Sequence, residues 1–228
     1  MTTSAAAARR PAQVHPWVAV DVVIFTVAEA RLQALLVRIK HGPLAGRWAF
    51  PGGLVAIGES LEEAARRELA EKTPIRQVYL EQLFTFGDPD RNPTVHAVST
   101  AYFALLPGAP RRLDSGAKYA EAAWFDVDSL PALAYDHNRV ADTARERLRA
   151  KLGYTNVAWS LLPRDFTLGE LQGIYEIIQG RKFDRRNFRR KIIESGLVRP
   201  AGKVRRGAHR PAALYRFQNR GLRRVELF

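Results

Sequence analysis

Five charged side chains and one glycine stand at a spacing that suits phosphate chemistry. Gly53 is followed after five residues by Glu59, and after seven more by Arg67-Glu68-Leu69-Ala70-Glu71-Lys72. Glutamates three and four apart share one face of a helix. Hard oxygens gathered there can hold Mg²⁺, which bridges a diphosphate and polarises water. Lys72 disturbs the set. It lies four residues after Glu68, placed to pair with that carboxylate, and its ammonium competes with a divalent cation. Arg67 is expected either at a ligand or paired with a glutamate of the set.

A second group is basic and lies near the C-terminus. Take Phe188 and Ile192 as the inward side of a helix capped by Asp184. At about 100° per residue, Arg186 and Arg190 then lie opposite, flanked by Asn187 and Arg189, with Arg185 opening the helix. Arg bonds guanine bidentately, Asn does so to adenine, and both bind phosphates. Lys203, Arg205, Arg206 and Arg210 follow in a loop over 202–210, suited to phosphates or the minor groove. Thr167, at the start of the preceding helix, is counted with this surface.

Both groups need elements to hold them. Residues 17–27 form an apolar run rich in Val, Ile and Phe, broken only by Asp21, and read as a buried strand. Residues 32–39 read as its partner, and 78–86, 95–106 and 122–125 as further strands. Residues 60–72 read as a helix with Ser60 and Glu63 as a capping box, leaving at Pro74. Residues 138–152 repeat Val140, Ala144, Leu148 and Leu152 along one helical face. Further on, Thr167 and Glu170 form a second capping box. The helix over 185–195 closes at Gly196, and 197–198 and 213–217 read as strands flanking the basic loop. Helix, turn, helix, basic hairpin is the order of a winged helix-turn-helix.

The chain has 228 residues, of which 46% are apolar, enough for one large domain or two modest ones. It contains no cysteine, which excludes disulfides, thiolate metal sites and cysteine nucleophiles. The net charge is +13 and is unevenly placed: residues 1–158 hold 19 basic and 17 acidic side chains, residues 159–228 hold 17 and 6. A basic block beside a near-neutral one predicts two domains with different partners, the basic one meeting a polyanion. The reading is a flexible tail over 1–16, a first domain over 17–155 and a second over 156–228. No apolar run approaches the roughly 18–20 residues of a membrane span. Partnership with a membrane is not expected, and a reducing, cytoplasmic location is.

The first group resembles the Nudix box at Gly53, Glu59, Arg67, Glu68, Leu69, Glu71 and Ile75. It departs from it at Lys72, where the box has a second consecutive glutamate, and at Pro74, where it has glycine. That implies a Nudix-like α/β/α sandwich whose box is degenerate, with no catalytic residue and no bound metal assigned, and at most weak residual hydrolysis. With the winged helix and segments such as 79–89, 99–105 and 210–215, the chain resembles the Nudix-related regulators of NAD metabolism, the NrtR group. The fold class is then α+β, a Nudix-like sandwich followed by a winged helix-turn-helix. The resemblance implies a homodimer on palindromic operator DNA of NAD biosynthesis or salvage genes. It implies release by ADP-ribose or a related NAD nucleotide, with no cofactor required. Coarse candidates for the ligand pocket are Arg38 and Arg91 for phosphate and Phe50 and Phe86 for stacking on adenine. His41, His96 and His137 match no metal spacing and receive no role. An active hydrolase of ADP-ribose-like substrates, or a sugar-responsive regulator on the same scaffold, are the alternatives.

Overall fold

The computed structural model describes residues 15–73, 78–110, 113–115, 118–206 and 211–225. Most of the expected tail, Pro74, Ile75, Gly207 and Arg210 lie outside these residues.

The first domain is a seven-stranded mixed sheet between two helices. Strand β1 (Trp17–Ala28) pairs in parallel with β6 (Ala97–Leu106) and antiparallel with β2 (Arg31–Ile39). Two short strands that periodicity does not reveal, β3 (Trp48–Ala49) and β4 (Gly52–Leu54), pair with β2 and β1. Strand β5 (Tyr79–Phe86) pairs with β6, and β7 (Tyr119–Asp126) with β2.

Side chains alternate across β1, so its two faces serve different helices. Val20, Val22 and Ile24 pack on α1 (Leu61–Lys72) through Ala64, Ala65 and Leu69. Val23 and Phe25 face the other side, where α2 (His137–Tyr154) presents Val140, Ala144, Leu148 and Leu152. Both predicted helices are present, and Ser60 and Glu63 form the expected capping box.

The second domain begins with a 3₁₀ turn at Val157–Leu161. It continues through α3 (Leu168–Gln179), α4 (Arg185–Glu194) and the hairpin β8 (Val198–Arg205) and β9 (Ala212–Phe217). Thr167 and Glu170 cap α3 reciprocally, and Asp184 accepts from the Asn187 amide to cap α4. The basic stretch differs from expectation. Gly202, Lys203 and Arg205 belong to β8, because a bulge with Gly202 at φ +67° lets the ladder resume at Val204 opposite Ala213.

The two domains share one apolar core. A continuous cluster runs from Val23 and Phe103 through Leu148 and Leu152 to Tyr175, Phe188 and Phe217. Helix α2 is its spine.

Candidate functional site

A cavity of about 520 Å³ in the first domain opens beside the glycine pair Gly52-Gly53. Its wall includes Trp17, Asp21, Phe50, Arg91, Lys118, Tyr119, Tyr135 and His137. Backbone leaves room only for glycine at 52, and a side chain at 53 would displace the Glu68 carboxylate. A Cβ on Gly52 would come within 2.6 Å of the Val20 carbonyl, and one on Gly53 would collide with Glu68 Oε1. Tyr119 holds this turn from the side: its hydroxyl donates to the Gly52 carbonyl at 2.9 Å and accepts from the Gly52 amide at 3.3 Å.

A buried polar network forms the cavity floor. Arg91 Nη2 meets Asp21 Oδ2 at 3.1 Å and Asp136 Oδ1 at 2.7 Å. Ser99 donates to Asp21 at 2.6 Å. His137 Nδ1 accepts from the Phe50 amide at 2.9 Å, which leaves the ring's Nε2 facing Asp21 Oδ1 at 3.4 Å. Burial alone raises Asp21's pKa, but His137, Arg91 and Ser99 outweigh it and hold the carboxyl well below its ordinary value. Tyr135, immediately before Asp136 and His137, sits in the left-handed region at φ +56°, an unfavourable conformation that turns its ring into the cavity.

The box residues converge as spaced, but on each other. Arg67 holds both oxygens of Glu59, at 2.8 and 3.0 Å, and donates to Glu68 Oε1 at 2.9 Å. Its hydrogen bonds keep Glu59 at a pKa of about 2. Lys72 does not pair with Glu68 as expected; its ammonium turns to Glu71 and Tyr119 instead. The Lys72 side chain is 1% exposed, and its ammonium meets Glu71 at 3.4 Å, the Ser115 carbonyl at 3.5 Å and the face of Tyr119. Lys118 lies 3.9 Å from Glu68. Glu59, Glu68 and Glu71 are thus each answered by a cation of the chain itself. Of these three carboxylates only Glu68 has a buried oxygen without a hydrogen-bond partner, Oε2, and one oxygen is not a coordination set. Among the described residues no three His, Asp or Glu side chains gather where a metal would sit. The residues present do not fit a Mg²⁺ centre.

Of the four sequence candidates for the pocket, the structure brings two to the cavity. Phe50 lies in its wall, stacked on His137 at 5.5 Å. Arg91 is there too, but buried and bound to two carboxylates, so its charge is already compensated. Arg38 points elsewhere, pairing with Glu121 at 2.9 Å and lying over Trp48. Phe86 is packed in the core, with Arg139 over its ring. The sequence reading missed Trp17, Lys118, Tyr119, Tyr135 and His137. One signal was available: Asp21, alone in an apolar strand, announces a buried charge that needs a partner.

In the second domain, Phe188 and Ile192 are buried at 1% exposure each, and Arg185, Arg186, Asn187, Arg189 and Arg190 are exposed. Arg190 donates to Asn187 at 2.9 Å, and Arg189 reaches the Tyr215 hydroxyl at 3.4 Å. Arg206 is exposed near the hairpin tip. Lys203 and Arg205 are less free than expected, since Lys203 pairs with Asp165 at 3.6 Å and Arg205 with Glu170 at 2.6 Å. The Thr167 side chain is engaged with Glu170 as the cap, beside Arg185 and Arg189 in a groove between α3, α4 and β9.

The fold and site define a class: a Nudix domain sharing its core with a winged helix. Comparison with known proteins divides the chain in the same way. The NUDIX domain family matches residues 15–147, and the NrtR DNA-binding winged helix domain family matches residues 158–217. The "ADPR responsive transcriptional repressor NtrR" of Acinetobacter baylyi is 38% identical over 205 residues, 89% of this chain and 82% of that protein. The crystal structure of Shewanella oneidensis NrtR complexed with a 27mer DNA superposes with a TM-score of 0.79 at 34% identity, covering 88% of this chain and 93% of the other. The NUDIX domain of the same protein complexed with ADP ribose superposes with a TM-score of 0.54 at 34% identity, over 60% of this chain and 90% of the other. The chain belongs to the NrtR family of Nudix-related transcriptional regulators.

Proposed function

We propose that the chain is a transcriptional repressor. Its winged helix, over 156–228, binds operator DNA of NAD biosynthesis or salvage genes. Its Nudix domain, over 17–155, binds ADP-ribose or a related NAD nucleotide and releases the DNA. The carrying observation is the exposed Arg185, Arg186, Asn187, Arg189 and Arg190 surface of α4, on a domain whose core is continuous with that of a cavity-bearing one. The Acinetobacter relative's description as ADPR responsive, and the Shewanella structures with DNA and with ADP ribose, support both ligands.

Within the cavity, Trp17 and Tyr135 are 53% and 39% exposed and offer ring faces to an adenine. Lys118 offers a phosphate partner. The box serves recognition and not hydrolysis, because each of its carboxylates is already held by Arg67, Lys72 or Lys118.

Coupling runs along α2. Its N-cap Asp136 and first residue His137 belong to the cavity floor, and its C-terminal half packs on the winged helix. A ligand that moves the floor moves the rod, and in a homodimer it changes the separation of the two α4 helices. Both half-sites of a palindrome then cannot be engaged together. DNA must weaken nucleotide binding by the same factor. Action on chromosomal operators supports a cytoplasmic location. Among the described residues no helix is long and apolar enough to cross a membrane.

The test is a mobility shift on duplexes from upstream of NAD-biosynthesis and salvage genes, with ADP-ribose, NAD or a pentose added. ADP-ribose should dissolve the complex. Release by a pentose alone overturns the nucleotide assignment, and rapid hydrolysis of ADP-ribose with Mg²⁺ or Mn²⁺ overturns the non-enzymatic one.

A further inference from the structure

We propose that Lys72 and Lys118 stand in for a divalent cation, so that the diphosphate of a nucleotide binds this cavity without metal. The proposal rests on the reading of the cavity as a nucleotide site. Its ground is the arrangement around Tyr119. Lys72 Nζ lies 5.0 Å and Lys118 Nζ 5.1 Å from the centre of that one ring. The ring is anchored to Gly52 by two hydrogen bonds, and Lys118 donates to the same Gly52 carbonyl. Lys118 Nζ is therefore held at the first glycine of the loop, on the cavity wall, and Lys72 Nζ lies against the same ring.

Their exposures divide the work. Lys118 is 50% exposed and lines the cavity, so it can donate directly to a phosphate oxygen. Lys72 is 1% exposed and acts from behind as a fixed field. Its two polar contacts, at 3.4 and 3.5 Å, are at the long limit of hydrogen bonding. In a poorly hydrated setting such a charge is felt over several ångströms.

The charge count agrees. Where the Nudix box has glutamate, lysine at 72 raises the local charge by two units, the charge of one magnesium ion. That charge is covalently attached and needs no free metal. Arg67 cannot do the same, because both Glu59 oxygens and Glu68 hold it.

The experiment is calorimetric titration of the full chain with ADP-ribose, in excess EDTA and in millimolar Mg²⁺. Wild type should show the same Kd in both. Lys118→Met should weaken binding by about tenfold or more in both, the scale of a lost charge-assisted hydrogen bond. Lys72→Glu should weaken binding in EDTA and recover it with Mg²⁺, whereas Lys72→Met should weaken it under both conditions. Thermal melts establish folding of each variant. If those at buried Lys72 do not fold, wild type and Lys118→Met decide. Wild-type binding that requires Mg²⁺, or unchanged affinity in Lys118→Met, overturns the inference and leaves the nucleotide reading standing. No ADP-ribose binding under either condition overturns both.

Discussion

Gln179 Nε2 donates to the Arg149 carbonyl at 2.9 Å, while Arg149 Nε donates to the carbonyl of Ile178, also at 2.9 Å. The two side chains clasp α2 of the sheet domain to α3 of the winged helix. If α2 carries the response, the clasp transmits it. Arg149→Ala combined with Gln179→Ala should leave ADP-ribose affinity of the isolated state nearly unchanged. The ratio of DNA dissociation constants with and without ADP-ribose should shrink by about threefold or more, a large part of a typical coupling energy. Fluorescence anisotropy with labelled operator reads that ratio; an unchanged ratio removes the clasp from the route.

Arg91→Leu should destabilise the first domain strongly. It leaves the buried Asp21 and the part-buried Asp136 without their shared cation. Removing one partner of a buried ion pair costs about 3–5 kcal/mol. Urea denaturation of wild type and variant measures it, and the double variant with Asp21→Asn should be less damaged than the sum of the two.

Arg186→Ala and Arg190→Ala should each weaken operator binding by roughly 1–3 kcal/mol where the contact is to a base, with relaxed sequence preference. Where the contact is to phosphate, the salt slope should fall by about one instead. Titrations of specific and scrambled duplexes at several salt concentrations separate these outcomes. Unchanged affinity in both variants means that another face of α4 enters the groove.

The wing carries a pH signature. Hydrogen bonds from Arg216 hold the Asp165 carboxyl at about 2, below its ordinary 3.8. A depressed carboxyl contributes stability above its unfolded pKa and loses it as pH falls through the folded value. The melting temperature of wild type should therefore decline between about pH 4 and pH 2 more steeply than that of Asp165→Asn, and the two should converge at the acid end. Parallel curves refute the assignment to this pair.

Much of the fold is legible from periodicity and caps. Both capping boxes, the inward Phe188 and Ile192 and the apolar stripe of α2 lie where spacing places them. What escaped was short or non-local. Strands β3 and β4 hold two and three residues, too few for any period to register. The cavity floor joins Asp21, Arg91, Asp136 and His137 from separate parts of the chain, and no local pattern links them. Arg38 and Phe86 were chosen for residue type. Pairing with Glu121 and packing beneath Arg139 remove them from the cavity. Lys72 was found by motif, but its burial against Tyr119 depends on a strand that begins 47 residues later.

Helix α2 is 18 residues long, about 27 Å at 1.5 Å per residue. Its two working ends are thus far apart in space yet encoded by one short stretch of the gene. Among alleles in and beside α2, genetic selection for repressors deaf to inducer should yield two tight clusters, one around codons 135–137 and another around 149–152. The solvent-facing codons between them should tolerate almost any change.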